Sequence, residues 1–151
     1  MKKIETGDRI PNFKLKNQKG NLVDINDLLG NKVLVIYFYP KNETSGCTKE
    51  ACAFRDSYED FKDAGAEVIG ISGDNTASHE SFAQNHKLPF ILLSDENNEV
   101  RKLFGVPTNL FGLLPGRVTY VVDKEGIVKH IFSSQLNINK HISEALTALN
   151  K

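Results

Sequence analysis

Val33-Leu34-Val35-Ile36-Tyr37-Phe38-Tyr39-Pro40-Lys41-Asn42-Glu43-Thr44-Ser45-Gly46-Cys47 runs from an unbroken apolar segment into a short polar loop. The β-branched and aromatic stretch up to Tyr39 reads as a strand covered on both faces. Pro40 ends it, because proline has no N–H to give to a ladder. Beyond the loop, Cys47, Ala51, Phe54, Tyr58 and Phe61 recur at steps of four, three, four and three. That is the apolar stripe of a helix packed on a sheet, and Gly65 is placed to close it. A buried strand feeding an amphipathic helix opens a β-α-β unit, so the chain is of the α/β class.

The rest of the sequence extends this order. Residues 13–16 and 22–25 flank Asn17-Gln18-Lys19-Gly20-Asn21 as an opening hairpin, and Gly30 stops a short helical turn. Strands are expected over 67–72 and 90–93, and helices over 76–86 and 96–104. Residues 117–122 and 127–132 form a second hairpin through Asp123-Lys124-Glu125-Gly126, and 139–149 a closing helix. Between Gly105 and Arg117 lies an apolar loop with Leu110, Phe111, Leu113 and Leu114, broken by prolines and glycines. It fills a gap in the core or forms an apolar collar beside Cys47.

The chain has 151 residues, enough for one domain (1–151) with a real core. Lys plus Arg and Asp plus Glu number 19 each, which gives no electrostatic reason for a nucleic-acid or membrane-surface partner. The N-terminus turns polar at once, without a signal-peptide pattern, and the longest apolar run is too short to span a bilayer. Two cysteines in such a chain fit a reducing compartment, and the expected location is cytoplasmic.

Cys47 and Cys52 are the only cysteines. A sulfur in a helix's first turn meets unpaired N–H groups and the positive end of the dipole, which favour the nucleophilic thiolate. On one helix the two lie ~140° apart around the axis, with Cα atoms roughly 8 to 9 Å apart. A permanent disulfide does not fit that span, and a transient one would require the first helical turns to unwind. The alternative is two inert buried thiols. Structural zinc wants four ligands, and His79, His86, His130 and His141 show no ligand spacing and read as surface or cap residues.

Tyr37 to Pro40, Thr44, Gly46-Cys47-Thr48, Glu50, Cys52 and Phe54 together resemble the active-site segment of peroxiredoxins of the bacterioferritin-comigratory, or Q, type. Gly116-Arg117-Val118-Thr119-Tyr120-Val121-Val122-Asp123 resembles the later segment that brings a catalytic arginine. The resemblance runs over roughly residues 7–149 and implies a thioredoxin-like fold with an N-terminal β-hairpin and an inserted helix/strand segment.

It further implies a thiol-dependent peroxidase for hydrogen peroxide and organic hydroperoxides. Cys47 would be the peroxidatic cysteine, oxidised to sulfenic acid. Cys52 would be the resolving cysteine, giving an intramolecular disulfide that thioredoxin or a similar dithiol reduces. Thr44 would offer its hydroxyl to the peroxide, Pro40 would wall the pocket, and Arg117 would stabilise thiolate and departing oxygen. No metal, flavin or haem is implied, and relatives with this internal resolving cysteine are often monomers. Ser45 stands where many relatives carry proline; serine leaves the loop freer and is able to cap the helix.

Without the resemblance, Arg117 is a surface arginine, Thr44 a loop residue or N-cap and Pro40 a strand terminator. Glu50 is a first-turn acid complementing the dipole, or an anchor for Arg117. Two rival functions remain at this level. One is a disulfide reductase or redox sensor, which lacks the usual C-x-x-C spacing here. The other is a passive thioredoxin-fold module, which has no need of Thr44 and Arg117.

Overall fold

The computed structural model describes residues 3–106, 108–109 and 114–150, with only the backbone of 108–109 and 114–115. The N-terminal hairpin pairs β1 (Lys14–Asn17) with β2 (Leu22–Asp24), followed by the turn α1 (Ile25–Leu28). Then come β3 (Val33–Phe38), α2 (Ser45–Asp56), α3 (Tyr58–Asp63), β4 (Ala66–Ser72), α4 (Thr76–His86), β5 (Ile91–Ser94) and α5 (Glu99–Phe104). A two-residue ribbon, β6 (Thr108–Asn109) with β7 (Leu114–Pro115), precedes β8 (Val118–Val122), β9 (Val128–Ser133) and α6 (Ile138–Leu149).

One seven-stranded sheet runs in the order β2-β1-β5-β4-β3-β8-β9. β3, β4 and β5 are parallel, while β8 runs antiparallel to β3 and β9 to β8. The β3-α2-β4 half followed by the β8-β9-α6 half is the thioredoxin-like arrangement. The inserted β5 pairs with β4 and carries the N-terminal hairpin on its other edge through β1.

The central strand serves two cores, because alternate residues of a strand face opposite sides. Leu34, Ile36 and Phe38 pack with Phe104, Val100 and Ile25; Val35, Tyr37 and Tyr39 pack with Cys47, Phe54, Phe61, Phe82 and Ile142. Cys47 therefore sits within the apolar layer between sheet and helices.

Three expectations shift. The helix through Cys47 is not continuous to Gly65: it leaves helical geometry at Ser57 (φ −102°, ψ 7°) and restarts as α3. Asp56 and Ser57 are residues whose side chains compete with helical backbone bonds, and the break turns Tyr58 so that its hydroxyl donates to Glu67 at 2.8 Å. α5 starts later than expected, because Asp95 uses its carboxylate to cap Val100 N and Arg101 N. The proposed apolar collar cannot be followed, since Leu110, Phe111 and Leu113 lie outside the described residues, as does the side chain of Leu114.

Candidate active site

Strand register builds the site. Phe38 at the end of β3 lies opposite Val118 at the start of β8. Arg117, one residue earlier, is thereby carried to the place where the chain leaves β3 for the loop and α2. Seventy residues of sequence separate Arg117 from Cys47, and its Nη2 lies 3.4 Å from the Cys47 sulfur. Cys47 is the third residue of α2 and only 1% exposed. Gly46 makes the approach possible: a Cβ there would stand 3.1 Å from the same Nη2.

Arg117 is itself buried. Its Nη1 donates to Glu50 Oε1 at 2.6 Å and its Nε to the Gln135 carbonyl at 3.3 Å. Burial works against its charge, but Glu50 and the Cys47 sulfur more than offset that, so the guanidinium is held charged more firmly than usual. Glu50 is fully buried, and burial pushes its carboxyl up to about 7 despite the charge and hydrogen bond of Arg117. Glu50 is not the first-turn acid it was expected to be: α2 starts at Ser45 and holds no acid in its first turn, so Glu50, its sixth residue, serves instead as the anchor of the arginine. Its Oε2 has no hydrogen-bond partner among the described residues and faces His141 Nδ1 at 3.6 Å, too far for a bond.

The histidines depart from expectation. His79 and His141 are fully buried, not surface or cap residues. His141 Nε2 meets the Ser134 carbonyl at 2.8 Å, so it carries the hydrogen, and Nδ1 accepts from the Thr119 hydroxyl at 2.7 Å. Burial lowers its pKa to about 4, which keeps the ring neutral. His79 likewise presents Nε2 to the Leu93 carbonyl at 3.0 Å and accepts from Asn42 Nδ2 at 3.0 Å. Sequence reasoning passed over these residues because a buried polar partner leaves no local pattern.

The loop before Cys47 is anchored from beneath. Tyr39 Oη donates to Asn42 Oδ1 at 2.6 Å, Asn42 N to Asp74 at 2.9 Å, and Asn42 Nδ2 to Ser78 Oγ at 3.1 Å. Buried Arg101 ties the two approaching segments together: it donates to the Tyr39 carbonyl and to the Gly116 carbonyl, each at 2.9 Å, with its guanidinium over the Phe38 ring. Pro40, half-buried, follows directly on that clasp. Thr44 occupies the N-cap of α2 without a side-chain cap bond, its exposed hydroxyl donating to the Lys41 carbonyl at 2.8 Å. Ser45 is the first helical residue, so the cap position that serine is able to fill belongs to Thr44 instead.

Cys52 lies in α2 as well, half-buried, and both thiols are free. Helix geometry keeps the two Cα atoms roughly 8 to 9 Å apart. The fold thus gathers Cys47, Arg117 and Glu50 at one point, with Pro40 and Thr44 on the loop leading to it and Cys52 held apart. Among the described residues there is no group of three or more His, Cys, Asp or Glu able to hold a metal ion. No described helix is long and apolar enough to cross a membrane.

Residues 6–131 match the AhpC/TSA family. The chain is 58% identical over 147 residues to the chloroplastic peroxiredoxin Q of rice (Oryza sativa subsp. japonica), covering 97% of this chain and 67% of the rice protein. Peroxidoxin BcpB from Mycobacterium tuberculosis superposes with a TM-score of 0.90 at 36% identity, over 97% of each chain. The Xanthomonas campestris bacterioferritin comigratory protein, solved as trapped intermediate and ligand complexes bearing on its alkyl peroxide reduction activity, has a TM-score of 0.83. It is 31% identical over 91% of this chain and 90% of that chain. The cytoplasmic expectation is corrected by these relatives: the rice protein and others at 56–59% identity are named chloroplastic, and cysteine usage alone did not distinguish the two compartments. The chain belongs to the AhpC/TSA family, on its peroxiredoxin Q branch of thiol-dependent peroxidases that act on peroxides and are reduced by thioredoxin-like dithiols.

Proposed function

We propose that Cys47 is the peroxidatic and Cys52 the resolving cysteine of a one-domain, monomeric peroxidase. The observation that carries this reading is the Arg117 Nη2 contact to the Cys47 sulfur at the buried start of a helix that also holds Cys52. The Cys47 thiolate attacks the terminal oxygen of a hydroperoxide and the O–O bond breaks. The departing alkoxide or hydroxide takes up a proton, and Cys47 is left as a sulfenic acid. Arg117 donates to the sulfur and to the oxygen on which charge develops. Thr44, whose hydrogen is committed to Lys41, accepts from the peroxide O–H through its lone pairs. Pro40 shields the sulfenic acid from water.

Cys52 then attacks the sulfenic sulfur, water leaves, and a Cys47–Cys52 disulfide forms. A thioredoxin-like dithiol takes over that disulfide by exchange. Both sulfurs come from one helix, so the cycle needs no second subunit. The balanced charge supports a cycle without nucleic-acid or membrane partners.

Rapid mixing of reduced wild type, Cys47→Ser and Cys52→Ser with hydrogen peroxide, followed by intact mass, tests the assignment. Wild type is expected to gain a disulfide and Cys52→Ser to stop at sulfenic or overoxidised sulfur. Cys47→Ser should not react. Rapid oxidation of Cys47→Ser would overturn the roles.

A further inference from the structure

Resolution requires Cys47 to leave a buried position and α2 to unwind at its start, so whatever fastens the preceding loop governs that step. The buried fastening through Asn42 has a second, exposed counterpart. Glu43 sits in the left-handed region (φ 61°), a conformation a non-glycine residue keeps only when its surroundings impose it. Its two carboxylate oxygens are both engaged from α4: Oε1 by His86 Nε2 at 2.7 Å and Oε2 by Asn85 Nδ2 at 2.8 Å. The same His86 gives its carbonyl to Arg55 Nη1, on the far end of α2, at 2.7 Å. His86 therefore holds the loop before Cys47 with its ring and the helix after it with its backbone.

We propose that Glu43 and His86 are positioning residues that latch the peroxidatic loop shut, so that protonation of His86 slows disulfide formation and lengthens the life of the Cys47 sulfenic acid. This rests on the assignment of Cys47 and Cys52 above. Imidazole is the side chain that ordinarily changes charge between pH 5 and 8. The hydrogen bond from His86, then that from Asn85, holds the Glu43 carboxyl below its usual range, so it stays anionic throughout that window. With both ring nitrogens of His86 protonated the latch is an ion pair; with Nε2 alone protonated it is a neutral hydrogen bond.

The other groups around His86 are Arg55 from α2, with Asp56 paired to it at 3.0 Å, the neighbouring Lys87, and the Phe82 ring edge-on at 5.1 Å. A longer-lived sulfenic acid has more time to meet a second peroxide and become sulfinic acid, with one more alcohol or water released. The latch thus sets the partition between turnover and inactivation.

The test is quenched-flow oxidation by hydrogen peroxide of reduced wild type, Glu43→Gln and His86→Arg, from about pH 5.5 to about pH 8, counting sulfenic, disulfide and sulfinic masses. Thiol exchange itself quickens with pH, so the readout is the ratio of each variant to wild type. Glu43→Gln is expected to form the disulfide about two- to fivefold faster at the acidic end, the scale of an exposed ion pair, with little change at the basic end. Its sulfinic share should fall in parallel. His86→Arg keeps the cation at every pH and should stay slow at the basic end, where wild type speeds up. Ratios that do not vary with pH would overturn the latch while leaving the cysteine roles standing. Wild type that forms no sulfenic acid or no disulfide would overturn both.

Discussion

Two buried arginines stand close to the end of β3 and differ in what they face. Arg117 meets a carboxylate and a sulfur, which hold it firmly charged. Arg101 meets two carbonyls and an aromatic ring, and burial lowers its pKa even though Asp95 and other groups pull the other way. The same side chain is a source of positive potential in one place and a clasp in the other. A buried guanidinium opposite an anion or a nucleophile stabilises charge that changes during reaction. One opposite carbonyls satisfies backbone groups that would otherwise be costly to bury. Function here is decided by the partners, not by the residue type.

The sharpest way to break this distinction is to remove each guanidinium in turn. Arg117→Met is expected to cut kcat/KM for hydrogen peroxide by about a hundredfold to a thousandfold, the usual consequence of losing one charge-stabilising donor. Its urea midpoint should move comparatively little, because Glu50 takes up a proton once its cation is gone. Arg101→Met should do the reverse. It leaves the Tyr39 and Gly116 carbonyls without their donor, at a cost of about 3 kcal/mol in unfolding free energy. The peroxide rate, measured well below the melting transition, should fall by less than in Arg117→Met. An Arg101→Met protein that melts normally yet loses the peroxide reaction would merge the two regions into one site.

The two arginines also show where the sequence was readable. Arg117 was singled out only through the motif it shares with Cys47, since 70 positions separate them and only the β3–β8 register closes that gap. Arg101 had no such handle: its partners are backbone carbonyls, which carry no side-chain identity. The periodic elements were plain. The unbroken apolar strand from Val33 and the helix Thr76–His86 emerge with the expected bounds or within one residue of them. The break at Ser57 was not visible, because the stripe continues through it and only the Tyr58–Glu67 contact gives the turn a purpose. Glu50 was visible as an acid on the right helix, but was expected one turn too early. Its burial was hidden, because the arginine that compensates it arrives from the far half of the chain.

Glu50 supplies the smallest and most diagnostic effect. Its carboxyl ordinarily titrates near 4.5 and in the fold at about 7, raised chiefly by burial. Below the lower value both folded and unfolded chains hold the proton, and its stabilising contribution is complete. As pH rises the unfolded chain releases it first, so stability is lost until the folded group also ionises. The unfolding free energy of reduced wild type, relative to Glu50→Gln, is therefore expected to fall by about 2 kcal/mol between about pH 5 and about pH 7, then level off. Urea titrations of both proteins across that range read the difference directly. A difference that grows with pH would mean that Arg117 holds Glu50 ionised against burial. Its charge would then already be spent on the carboxylate, and the contrast with Arg101 would rest on the sulfur contact alone.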